Sequence, residues 1–155
     1  MQSVFTAQIA YIRIKAKQKR IPLCAGILAS IPYVSNDRPE FAVFIEDDDK
    51  VCYVYLWKEG ENIIAHVWLY NVAPTPSEPE LQIEENHPFL NSAEFVSENL
   101  DPFDAWTPVE VSWDFGEEIV AKIFLSERLI EKLTAGARPG WSSLVTKDGP
   151  LAQKM

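Results

Sequence analysis

Reactive side chains are scarce in this chain. It holds two cysteines, two histidines and six glycines in 155 residues, and each shortage removes a class of chemistry. Cys24 and Cys52 have 27 residues between them and match no zinc or dithiol spacing. Both lie in apolar runs, Pro22-Leu23-Cys24-Ala25 and Val51-Cys52-Tyr53, so they read as buried free thiols in a reducing compartment. The glycines are scattered singly, which leaves no phosphate-cradling loop. The serines of Gly140-Trp141-Ser142-Ser143 lack the Gly-x-Ser-x-Gly elbow of a hydrolase nucleophile. Glu46-Asp47-Asp48-Asp49 offers hard oxygen ligands without the spacing or central glycine of a calcium loop, and reads as a solvated turn. No cofactor or metal is expected, and the chain does not read as an enzyme. Nor is any apolar stretch long enough for a membrane-spanning helix.

Basic charge is also short, and unevenly placed. Fourteen Lys and Arg face twenty-three Asp and Glu, a net of −9, which argues against nucleic acid as a partner because phosphates are neutralised by cations. Residues 1–20 carry five bases and no acid, whereas residues 37–118 carry twenty acids against Arg38, Lys50 and Lys58, a net of −17. The basic start followed by the apolar run Ile21 to Val34 has the outline of a leader peptide. Pro22, Gly26 and Pro32 interrupt that run, and residues 12–17 alternate Ile-Arg-Ile-Lys-Ala-Lys. The segment therefore reads as a half-exposed strand of a cytoplasmic protein. The length suits one domain over residues 1–155.

Eighteen aromatic residues provide ample material for a core. Phe41 to Ile45, Val51 to Trp57 and Ile63 to Tyr70 are dense in β-branched and aromatic residues, and read as a three-stranded meander. A two-residue turn at Glu59-Gly60 would oppose Leu56 to Ile63, Val54 to Ala65 and Cys52 to Val67 on an aliphatic face. The other face would then carry Tyr53, Tyr55, Trp57, His66, Trp68 and Tyr70. A tight turn at Asp48-Asp49 places Ile45, Val43 and Phe41 on the aliphatic side. Asn91 with Glu94 has the form of a capping box before a short helix. Val109 to Phe115 and Ile119 to Leu125 alternate as half-buried strands, and Ser126 could cap a helix carrying Leu129, Ile130 and Leu133. The expected fold is α+β, a mostly antiparallel sheet of five or six strands with a central meander and one or two short helices.

The functional expectation follows from charge and rings. An acidic body interleaved with amphipathic aromatics suits a module that binds a basic protein, with charge steering encounter and desolvated rings anchoring the complex. This profile resembles that of bacterial immunity proteins, which block the active site of a toxin. The partner-binding candidates are Asp47, Asp48 and Asp49 for steering, with Trp57, His66, Trp68, Tyr70 and Trp106 as anchors. Two alternatives use the same residues. One is a small enzyme or ligand carrier whose aromatic face lines a pocket with His66 as acid or base. The other is a subunit of a homo-oligomer that buries that face against a second copy.

Overall fold

The computed structural model describes residues 29–47, 50–72, 95–104 and 106–155. These contain nine strands and no helical element, which corrects the α+β expectation to an all-β architecture. The chain first lays down β1 (Ala29–Val34), β2 (Phe41–Asp47), β3 (Val51–Lys58) and β4 (Asn62–Asn71), an antiparallel sheet in sequential order. A second sheet follows with β5 (Val109–Phe115), β6 (Ile119–Leu125), β7 (Arg128–Thr134), β8 (Trp141–Ser142) and β9 (Gln153–Lys154). Its last pair is parallel and the rest antiparallel.

Of the two expected helices, the one from Ser126 is absent, and the one following Asn91 falls largely outside the described residues, with Phe95 its one described helical position. Leu129, Ile130 and Leu133 have helical spacing, yet they lie on β7. Ser126 and Glu127 have φ of 48° and 67° and turn the chain between Leu125 and its partner Arg128. Positive φ at both central positions is the geometry of a tight hairpin whose twist matches its strands, so Ser126 turns a hairpin where a helix cap was expected. The capping-box residues Asn91 and Glu94 lie outside the described residues. Beyond them Val96 bridges Val145 and the Ser97 N–H donates to the Leu144 carbonyl at 2.8 Å.

The meander forms, but not in the expected register. Its β3–β4 turn spans Glu59-Gly60-Glu61, with Lys58 opposite Asn62 and Gly60 and Asn62 at φ of 84° and 67°. Past a first irregularity Leu56 opposes Ala65, Tyr55 opposes His66 and Val54 opposes Val67; past a second, Cys52 opposes Tyr70. The central pairs are shifted by two residues from expectation. A two-residue slip preserves sidedness, so Val54 and Leu56 still share a face with Ala65 and Val67. The second irregularity moves Tyr70 to the Cys52 side, away from the other rings. On β2, Val43 and Ile45 oppose Leu56 and Val54 on the aliphatic face, as expected.

That face joins Ala121, Ile123 and Leu133 of the second sheet in one hydrophobic core. The sheets also meet through backbone along the outer edge of β4. Gly136 N–H donates to the Ile64 carbonyl at 2.8 Å, His66 N–H to Ala137 at 3.2 Å, Gly140 N–H to His66 at 2.8 Å, and Trp68 N–H to Leu151 at 2.9 Å. Gly140 is a steric requirement of this seam. A Cβ there would lie 2.6 Å from Leu133 Cδ2 and 2.8 Å from the Lys132 carbonyl oxygen. The seam ends with Asn99, whose amide accepts from the Asn71 N–H and donates to the Asn71 carbonyl, both at 2.9 Å. A side-chain amide here pairs as a neighbouring strand would.

Candidate functional site

The aromatic candidates separate into interior and exterior groups. Trp57, Trp68 and Tyr70 are buried, and His66 is half-buried. Trp57 packs edge-on against Phe44 at 6.4 Å. Trp68 donates its indole N–H to Asn71 Oδ1 at 2.8 Å, and His66 lies edge-on to Tyr53 at 6.5 Å. Trp68 and Tyr70 are buried rings with satisfied polar tips, built for packing, whereas the buried Trp57 Nε1 has no hydrogen-bond partner among the described residues. Trp106 is different: 88% of its surface is exposed.

Local hydrogen bonding holds Trp106 outward. Upstream, Asn99 is clamped to β4, and the Phe103 N–H donates to the Tyr70 hydroxyl at 2.8 Å while the two rings sit 5.3 Å apart. Asp104 then folds a tight turn. Its Oδ1 accepts from the Trp106 N–H at 2.7 Å, and its own N–H donates to Thr107 Oγ1 at 2.9 Å. Asp and Thr side chains of this kind replace strand pairing with local turns. The indole is thus presented from a pinned segment immediately before β5.

Around it the chain is uniformly acidic. Between residues 98 and 118 stand Glu98, Asp101, Asp104, Glu110, Asp114, Glu117 and Glu118, with no Lys or Arg in the run, and all seven are exposed. Arg128 reaches Glu98 at 2.7 Å, and Lys122 lies one strand inward, opposite Ser112. On β5 the exposed residues Glu110, Ser112 and Asp114 alternate with half-buried Val109, Val111, Trp113 and Phe115. Trp113 and Phe115 stack at 5.7 Å. Phe115 continues to Phe41 at 5.6 Å, with the Arg38 guanidinium over both Phe rings. Of the steering acids, Asp47 is half-buried and accepts from the Tyr70 hydroxyl at 3.0 Å; Asp48 and Asp49 lie outside the described residues.

A second polar group lies inside the core. Glu131 projects from β7 on the face of Leu133, opposite Ile123, and is completely buried. Neither carboxyl oxygen has a hydrogen-bond partner. Burial pushes its carboxyl well above the usual range, and the nearby Ser142 hydroxyl opposes this without forming a well-made bond to either oxygen. Burial also raises the Cys52 thiol. Tyr70 opposes that shift, while the charges of Asp47, Glu131 and Glu46 add to it. The Tyr70 phenol is itself pushed up by burial and by Cys52. Cys52 and His66 lie on opposite faces of the first sheet, so His66, the one histidine among the described residues, is not beside the thiol, and a protonated buried thiol is a poor nucleophile.

The aromatic alternation of the meander marks core, whereas alternate residues of β5 form an exposed edge face. The signal for β5 was its strict alternation of acids with apolar residues. Edge position, which gives that pattern its interest, is not a local property. Glu131 had one available clue, the two-residue spacing of Leu129, Glu131 and Leu133, which competed with the helical spacing of Leu129, Ile130 and Leu133.

Comparison with known proteins returns no matching family model, no matching curated protein and no matching solved structure. No helix among the described residues is long and apolar enough to cross a membrane.

Proposed function

We propose that this chain is an acidic protein-binding module that captures a basic protein partner, in the manner of an immunity-type inhibitor. The observation that carries the reading is Trp106, an almost fully exposed indole held on a hydrogen-bonded turn within a stretch of chain, residues 98–118, that carries seven exposed carboxylates and no basic residue. Exposing an indole forgoes the stabilisation of burial, and tryptophan is the residue type most enriched among interface anchors. The carboxylates steer a cationic surface toward it and penalise acidic competitors.

The test is affinity capture from the source lysate with wild type and Trp106→Ala at low and high salt, followed by kinetics on the recovered protein. The reading expects a basic partner released by salt. Trp106→Ala should raise the dissociation rate, costing about 2 kcal/mol or more of affinity. Neutralising Asp101, Glu110 and Glu117 together, which leaves the Asp104 turn intact, should mainly slow association. An acidic partner, or equal capture by the Trp106→Ala variant, contradicts the reading.

A further inference from the structure

We infer that the outer edge of β5 is a strand-addition site that takes an extended basic segment of the partner, the segment alternating Lys or Arg with apolar residues. The inference rests on the binding reading above and specifies how and where the partner is held. β5 is seven residues long and terminates the second sheet, with β6 as its only strand neighbour among the described residues. Its pairing with β6 runs from Val109–Leu125 to Phe115–Ile119 without a bulge. Outside that ladder, the only bonds near its ends are those of the Val109 and Gly116 N–H groups to Thr107 and Asp114, and of the Pro108 carbonyl to Ser126. The outward peptide groups between Glu110 and Phe115 are therefore open to an added strand.

Exposed edges are usually blunted by lysine, proline, a bulge or a covering segment. Between Val109 and Phe115 β5 has no lysine, proline or bulge, no described strand covers its outer edge, and its charged residues are the acids Glu110 and Asp114. That choice selects the occupant. A second copy paired antiparallel about Ser112 would set Glu110 against Asp114 twice over, and like charges directly opposite are destabilising. A segment with Lys or Arg at those positions gains opposite-charge pairs instead. Its intervening side chains would fall on the other face, beside the half-buried Val111 and Trp113. Main-chain bonds and alternating side-chain contacts are how strand addition divides affinity from specificity.

The test uses the full chain and three synthetic peptides: an alternating Lys-Val heptapeptide, the corresponding Glu-Val peptide, and the Lys-Val peptide N-methylated along its backbone. Binding is followed by titration, and backbone amide exchange is read residue by residue with and without peptide. The inference expects Lys-Val to bind and to slow exchange of alternate amides from Glu110 to Phe115. Backbone methylation should weaken binding at least about tenfold at unchanged charge. A Glu110→Lys/Asp114→Lys variant, whose substitutions lie on the exposed face, should reverse the preference toward Glu-Val. Equal binding of the methylated peptide, or binding without protection of β5, overturns strand addition and leaves the acidic binding surface standing. Failure of every basic peptide to bind at low salt overturns both, and self-association through β5 overturns the choice of occupant.

Discussion

The outer edges of β4 and β5 begin as the same chemical object, a row of peptide groups with no neighbouring strand, and the chain treats them oppositely. Along β4 it spends residues 136–140, Leu151 and Asn99 on satisfying that row. Along β5 it adds carboxylates, and among the described residues nothing pairs with the row. The rings follow the same division. Trp68 is enclosed behind the closed edge with its indole N–H bonded, whereas Trp106 stands beside the open one in water. An unsatisfied buried peptide group costs free energy that an exposed one does not, so sealing is needed where the core continues underneath. The unsealed edge is where a partner can still gain hydrogen bonds.

The largest test of this contrast compares the two tryptophans. Trp68→Ala should destabilise the fold by about 3–5 kcal/mol through the cavity it leaves, and Trp106→Ala by less than about 0.5 kcal/mol. Urea unfolding followed by circular dichroism measures both. A large stability loss at Trp106 would make it a structural residue and remove the main support for a binding surface.

Glu131 sharpens the account of the shared core. Its folded carboxyl titrates above the ordinary value of 4.5. Below pH about 4.5 both states hold the proton and stability is complete. As pH rises toward the folded value, the unfolded state releases its proton while the folded state retains it, and stability falls. Glu131→Gln should abolish that decline and stabilise the protein near neutrality by roughly 1–3 kcal/mol, the scale of a buried unsatisfied polar group. Unfolding free energies of both proteins from pH 4 to 8 measure this. A variant less stable at pH 7 than wild type would mean that the carboxylate has a partner in solution.

Asn99 probes the end of the β4 seam. Asn99→Ala removes both bonds to Asn71 and should cost about 1–2 kcal/mol. Amide exchange should quicken at Asn71 and stay unchanged on β5. Loss of protection on both edges would show that the edges are energetically one unit.

How much of this was legible in the sequence follows from the range of each interaction. Alternation is local, so the positions of β2, β3, β4, β5 and β6 could be read directly, as could the aliphatic face of the meander. Register depends on loop detail. One further residue in the turn at Glu61 and two irregularities moved the pairing, carrying Tyr70 across the sheet to Cys52. The mistaken helix at β7 came from an accident of spacing and from Ser126, a good helix cap that here adopts a left-handed turn. Trp106 could be named from residue type alone. Glu110 and Asp114 could not, because their role depends on which strand ends the sheet, a property of the assembled fold.

The measurement that bears most directly on the two edges is native-state amide hydrogen exchange on the isolated protein, resolved by residue. The account predicts that the amides of His66, Trp68 and Asn71 exchange only with near-global unfolding, as bonded core-edge groups do. Alternate amides between Glu110 and Phe115 should exchange faster by orders of magnitude. Uniformly slow exchange along β5, or rapid exchange at His66 and Trp68, would contradict the division between a sealed edge and an open one.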